Sequence, residues 1–377
     1  LDADLIFLAL ASNKDNIHLL REAQEFGNDK EKTNMNELNF VSIDVLKECV
    51  LEELNDILYD ELVERNLDKD SIMRDFIFIC YFLGNDFLPH IPSIDIKCYD
   101  KKCVNGLDLL LQGYANTYDN LEEYLVSIDE NNKISFNSVF LQMFVEYLAS
   151  FEEEFFDNMY NSKKRYYKSD SKDPYEIEKY RIENLQFRID DDIELGKDDS
   201  EDYKFRYYNK YYFTEVNQNE LVKFASFKYL EGLLWVANYY FDKCPSWDWY
   251  YPYDHPPFLH DVVQNIVPFK KFKFELGEPL KPYEQLLCVL PKQSVYLLPK
   301  CLHKIMLNLN SSVAYLYPLK FDIDLINKKK YWMGIPILPS LEINTIKHIF
   351  KKYENKLNYQ EREMNNITQV ITFKYKK

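Results

Sequence analysis

The chain has 377 residues, 46% hydrophobic and 29% charged, enough to bury a core and too many for one average domain, so disorder as its main state is excluded. No apolar stretch approaches the roughly 18 to 20 residues of a membrane helix, and Leu1 to Asp4 lacks the basic start of a signal peptide, so the chain reads as soluble and intracellular. A formal charge of −16 speaks against an extended nucleic-acid footprint, which needs clustered Lys and Arg, and seven scattered cysteines without a Cys-x-x-Cys pair read as reduced thiols.

Residues 1–26 predict an α/β alternation: Asp2-Ala3-Asp4, an apolar helical run from Leu5 to Ala11, a polar break, and a strand from Ile17 to Arg21. Apolar residues at helical spacing follow from Val41 to Leu62. Ile72 to Leu83 is apolar nearly all round and predicts a buried helix that stops at Gly84. Helical patterns continue over Leu107–Tyr114 and Val139–Phe156, the second ending in the acidic aromatic run Phe151 to Phe156. From Tyr160 to Tyr203 the chain is highly charged, with eight carboxylates against Lys197 in residues 190–202, and reads as a mobile linker or insertion. Phe224 to Phe241 predicts a strong helix, followed by the Pro- and aromatic-rich loop Cys244 to Phe258. Residues 283–306 predict two short helices around Pro291, residues 313–338 short extended segments, and Leu341 to Tyr353 an amphipathic helix with a basic tail. With only 8 glycines in the chain, each is expected where backbone geometry demands it.

Three carboxylates form the sharpest candidate site. Residues two apart on a strand share a face, so Asp2 and Asp4 can converge on one point. Their neighbours are apolar, and a carboxylate beside a buried run needs a cation or a helix N-terminus to offset its desolvation. Asp86 follows a glycine turn behind the buried helix and can point into a cleft floor. Hard oxygen donors of this kind suit Mg²⁺ or Mn²⁺. The plainer alternatives are a helix cap for Asp4, solvent for Asp2 and an Asx-turn for Asp86. His18 and His90 are expected to be packed and hydrogen-bonded rather than metal ligands.

Leu1-Asp2-Ala3-Asp4-Leu5-Ile6 and Gly84-Asn85-Asp86-Phe87-Leu88-Pro89-His90 strongly resemble the two aspartate motifs of the 5′→3′ exoribonucleases of the XRN family. Phe151 to Phe156 resembles that family's FEEEFF segment, and Ser246-Trp247-Asp248-Trp249-Tyr250-Tyr251-Pro252-Tyr253 its SWxWYYPYHY segment, with Asp254-His255 departing from the usual His-Tyr. Val289-Leu290-Pro291 and Trp332-Met333-Gly334-Ile335-Pro336-Ile337-Leu338-Pro339 resemble its second conserved region.

The resemblance implies an α/β fold: a flap-endonuclease or PIN-like nuclease core with a central sheet, incomplete here, and a mainly helical second region packed on it. It divides the chain into residues 1–120 (later part of the core), 121–159 (helical connection), 160–205 (linker or insertion) and 206–377 (second region). It implies that Asp2, Asp4 and Asp86 are metal ligands and catalytic residues in two-metal hydrolysis, where Mg²⁺ or Mn²⁺ ions align a hydroxide and neutralise the scissile phosphate. Trp247 or Trp249 stacks on the 5′-terminal bases of single-stranded RNA carrying a 5′-monophosphate; the sequence leaves open which. The remaining metal-binding acids and the phosphate-selecting basic pocket lie upstream in the family, so the chain alone is expected to be inactive without that segment or a second chain supplying it. The implied location is cytoplasmic, with a nuclear branch sharing the motifs. The alternatives are a degenerate RNA-binding or scaffolding member and, ranked lower, a flap-type DNA endonuclease.

Overall fold

The computed structural model describes residues 3–22, 38–58, 67–96, 104–130, 133–163, 171–183, 185, 191–198, 202–212, 218–268 and 271–367. The first apolar run is helix α1, Ala3–Ala11, with Asp4 in its first turn. This corrects the expectation of an Asp-x-Asp strand: the apolar run after Asp4 carries helical geometry back to Ala3, and an acidic side chain suits the positive end of the helix dipole. Strand β1, His18–Glu22, pairs antiparallel with β2, Leu38–Ser42, which leads into α2, Ile43–Ile57, capped by the Ser42 hydroxyl. Helix α3, Lys69–Cys80, continues as one 3₁₀ turn to Leu83. Then come α4, Gly106–Leu121, the hairpin β3, Val126–Ile128, with β4, Ile134–Phe136, and helices α5, Ser138–Ala149, and α6, Glu152–Lys163. The 160–205 stretch contains α7, Pro174–Glu183. Beyond it lie α8, Tyr203–Tyr211, the long α9, Gln218–Phe241, and α10, Leu259–Gln264. The last part holds α11, Pro282–Val289, α12, His303–Leu307, the hairpin β5, Ile323–Asp324, with β6, Ile335–Pro336, then α13, Ile343–Glu354, and α14, Tyr359–Met364.

The fold is thus helix-rich with a minor β component. Among the described residues every sheet is a two-stranded antiparallel hairpin, so the expected central sheet does not occur there. No described helix is long and apolar enough to cross a membrane. Cys49, Cys80, Cys244, Cys288 and Cys301 are free thiols.

The chain forms two compact units, residues 1–167 with 192–276, and residues 168–191 with 277–377. In the first, α3 and α9 are apolar on nearly every face and bury residues such as Ile77, Phe78, Phe82, Tyr229, Leu233 and Val236. Each such side chain contributes ~1.5 to 3 kcal/mol. Two carboxylates are sealed into this core as acceptors. Asp75 of α3 accepts from the Tyr114 hydroxyl (2.9 Å) and from the Leu125 and Val126 amides (2.8 and 2.7 Å), tying α3 to α4 and β3. Glu152 accepts from the Leu259 and His260 amides (2.9 and 3.1 Å) and from Ser93 (3.3 Å), which fixes the start of α10.

Part of the acidic stretch is anchored in this unit. Ile193 and Leu195 are buried, the Arg206 Nε donates to the Ile193 carbonyl at 2.7 Å, and Gly196 (φ +82°) lies so close to α6 that a Cβ would stand 2.1 Å from the Phe156 carbonyl oxygen. Two apolar side chains among eight carboxylates are enough to pin the segment, a detail its charge obscures. In the second unit, Leu287 of α11, Ile305 and Met306 of α12, and Ile346, Ile349 and Phe350 of α13 share one core. A Lys281–Glu354 pair (2.5 Å) joins α11 to α13.

Candidate active site

The site is built on the loop after α3. Gly84 has φ +88° and ψ 157°, a conformation open essentially to glycine alone, and a Cβ there would lie 2.7 Å from the His90 Cβ. The loop closes through Ile91 N to the Phe82 carbonyl (3.1 Å) and Asn85 N to the Leu88 carbonyl (3.0 Å). Asn85, not Asp86, makes the Asx-turn: its Oδ1 accepts from both Phe87 N and Leu88 N at 2.9 Å. That leaves the Asp86 side chain exposed at the tip. Phe87 and Leu88 point inward instead, Phe87 against Trp235 (4.7 Å) and Tyr239 (5.1 Å).

Asp4 reaches the same place from α1. Its Oδ1 accepts a short hydrogen bond from the Tyr240 hydroxyl near the end of α9. Burial, then the Asp4 hydrogen bond and the charges of Asp4 and Asp86, raise the Tyr240 phenol well above its ordinary range, so it remains a neutral donor. Of the two carboxylates Asp4 is the one that binds the phenol; the more distant charge of Asp86 adds the smallest part of the rise. Tyr81 packs on Tyr240 at 5.4 Å, and its buried hydroxyl finds no hydrogen-bond partner among the described residues. The buried Asn85 Nδ2, next to Asp86, is likewise unpartnered there.

The donor chemistry of Asp4 and Asp86 fits a hard divalent cation. Two carboxylates do not complete such a site, and among the described residues no three His, Cys, Asp or Glu side chains are grouped closely enough to hold an ion. Asp2, the third sequence candidate, lies outside the described residues. His18 and His90 are exposed and not packed as expected, because both sit in loop or edge positions beside the core, but His18 Nδ1 is within hydrogen-bond distance of the Asn16 carbonyl (3.4 Å), as expected.

One face of α9 carries the aromatic wall of the site. The Trp249 ring stacks on Trp235 (5.3 Å, 21°), which stacks on Tyr239 (5.5 Å, 9°). Trp249 Nε1 donates to Glu231 (2.9 Å), which also takes Lys228 (2.6 Å), and Trp235 Nε1 donates to the Ser246 carbonyl (3.0 Å). Gly232 makes room for this arrangement: a Cβ there would stand 2.6 Å from Leu88 and 2.9 Å from Trp249. The Asp86 loop and the tryptophan loop thus press on one point of α9. Trp247 is different. Its backbone N–H is fixed to the Leu276 carbonyl (2.8 Å), but its side chain is 51% exposed.

Sequence reasoning did not single out Tyr240, Asn85, Glu231, Asp75 or Glu152. Burial pushes the last two carboxyls up to about 7 against the lowering effect of their amide donors. The available signal was Asp75, with Arg74 beside it, inside the otherwise apolar run of α3; nothing distinguishes Glu152 from Glu153 and Glu154 in sequence.

The helix-rich character of the chain agrees with the comparisons with known proteins. The family described as the Xrn1 helical domain matches residues 66–189 and 168–376, and the chain belongs to this XRN family. The chain is similar to human 5′-3′ exoribonuclease 1, 30% identical over 95% of this chain and 23% of that protein. It is also similar to 5′-3′ exoribonuclease 2 of Arabidopsis thaliana (26% identical; 96% of this chain, 45% of that one) and of Debaryomyces hansenii (27%; 99% and 49%). It spans between about a quarter and a half of the length of these relatives.

Proposed function

We propose that the chain supplies part of the active site of a 5′→3′ exoribonuclease that degrades single-stranded, 5′-monophosphorylated RNA in cytoplasmic or nuclear RNA decay. The observation that carries this reading is that Asp4 is bound by Tyr240 of α9, the same helix on which the Asp86 loop packs through Phe87 and Leu88. Asp4 and Asp86, joined by Asp2, would hold a divalent ion, Mg²⁺ or Mn²⁺, and the helix-rich first unit would be the later part of a PIN-like nuclease core. When bound, such ions supply an activated water and offset charge on the scissile phosphate.

The chain's own residues act by placement. Tyr240 holds Asp4 in one rotamer, and Asn85 and Gly84 hold the loop that carries Asp86. Trp247 offers an open ring face to a base, while Trp249 is committed to Glu231 and Trp235 and supports the loop. Three carboxylates suffice for one ion, so the remaining metal ligands and the cations that select a 5′-phosphate would come from residues beyond these 377.

Calorimetric titration of Mn²⁺ into the chain tests the ligand set. Asp4→Asn and Asp86→Asn are each expected to weaken binding at least about tenfold, the size reported for losing groups around a metal; wild-type affinity in both would refute the assignment. Incubated with 5′-phosphorylated RNA and Mg²⁺, the chain alone is expected to release no nucleoside monophosphates. Robust release would refute the reading that further residues are needed.

A further inference from the structure

The charge of the chain is unevenly placed. Residues 277–377 carry sixteen Lys and Arg against eight Asp and Glu, a formal charge of +8, and the 276 residues before them carry −24. Such asymmetry is a signature of polyanion contact in the basic part.

Its densest point is the loop between β5 and β6, Leu325-Ile326-Asn327-Lys328-Lys329-Lys330-Tyr331-Trp332-Met333-Gly334. The loop is built, not merely solvated. Ile326 is buried, its N–H donates to Asp324 (3.0 Å), Lys328 N donates to the Leu325 carbonyl (3.1 Å), and Asn327 adopts φ +59°. Gly334 lets the stem close: a Cβ there would stand 2.5 Å from Ile323 and 2.7 Å from Leu325. Lys328 is half-buried, and its desolvation lowers its affinity for a proton against the opposing charge of Asp324. Lys330, Tyr331 and Trp332 stand outward, with Lys329 partly exposed beside them.

Trp332 is 82% exposed and Tyr331 53%. A tryptophan presented on a braced tip just after three lysines forgoes the burial that usually stabilises it. Protein interfaces concentrate aromatics but deplete lysine, whereas single-strand nucleic-acid platforms combine the two: rings take base faces and ammonium groups follow the backbone.

We propose that this hairpin tip is a single-stranded RNA platform in which Trp332 and Tyr331 stack on bases while Lys329 and Lys330 follow the phosphates. The RNA class rests on the function proposed above; the residues invoked here are other than Trp247 and the aspartates.

The test is fluorescence anisotropy of a fluorescein-labelled sixteen-uridine RNA with the full chain, in EDTA, over a series of KCl concentrations. Trp332→Ala is expected to weaken binding about 5- to 100-fold without changing the salt slope, with Trp332→Phe retaining most of the affinity. Lys330→Ala is expected to reduce the slope by about 0.7. The far-ultraviolet circular dichroism of each variant should match wild type, since these side chains touch solvent. Wild-type affinity in Trp332→Ala overturns the proposal. So does an absence of RNA binding by the wild-type chain, or sedimentation showing that Trp332→Ala only abolishes self-association. Trp247→Ala separates the two readings: loss there with no effect at Trp332 defeats this inference and leaves the active-site reading standing, whereas loss at Trp332 with no effect at Trp247 supports this inference and removes Trp247 from the other site.

Discussion

Raising the pH should loosen the first unit, and Asp75 and Glu152 are the reason. Their carboxyls are pushed up to about 7 in the folded protein from ordinary values of 3.8 and 4.5, because burial disfavours the charged form more than the amide donors favour it. Between those limits the folded state binds more protons than the unfolded chain, so stability falls as pH rises. The contribution is complete below about pH 4 and is lost as pH passes through 7. From the size of the two shifts, the change between pH 4 and pH 8 is about 4 kcal/mol for Asp75 and about 3 kcal/mol for Glu152. That is a large share of the ~5 to 15 kcal/mol that holds a domain together. Urea unfolding followed by tryptophan fluorescence at pH 4 and pH 8 measures it. Asp75→Asn and Glu152→Gln should each remove its own part of the pH dependence, at the expense of a donor left facing an amide N–H. Repulsion within an acidic chain also grows with pH, but the two variants would leave that component intact. Wild-type stability equal at the two pH values, or variants with the wild-type slope, would refute the reasoning.

The two tryptophans of the aromatic loop should separate cleanly. Trp247→Ala is expected to change stability by less than about 0.5 kcal/mol while weakening single-stranded RNA binding several-fold. Trp249→Ala is expected to cost about 3 kcal/mol in chemical denaturation, because it opens a space beside Trp235 and leaves Glu231 short of a donor. Gly84→Ala should destabilise by about 2 kcal/mol or more in the same assay, since both the backbone conformation and the 2.7 Å approach to His90 oppose a Cβ.

Much of the helical framework can be read from periodicity: the buried helix ending at Gly84, the long α9 and the amphipathic α13 all stand where apolar spacing puts them. The reading failed where two signals were superimposed. Asp-Ala-Asp alternates like a strand, yet the helical run that follows it, read correctly from Leu5, extends back to take in Ala3 and Asp4 and packs against α3 and α9. In the charged stretch, composition hid Ile193 and Leu195, because a sum over charges does not register two anchors. The site was half legible. Asp86 stood out by its turn, but the residue that makes the turn is its neighbour Asn85, and Tyr240 carried no sequence mark because its role arises only when α1 and α9 are brought together. The total charge misled for a similar reason: it averages an acidic first part against a basic last part.

The chain passes from the first unit to the second at residue 168 and returns at residue 192 before the second unit is completed from residue 277 onward. On a ribosome this sets a schedule. At ~5 to 20 residues per second, α7 emerges roughly 4 to 20 seconds before the first of the residues it will be grouped with, whereas everything the first unit needs is made by residue 276. The first unit can therefore close around its aspartates while α7 still waits as a short helix of weak amphipathicity, unable to hold its shape alone. A pause or stop in synthesis between those points would yield a chain with its acidic corner assembled and its basic end absent.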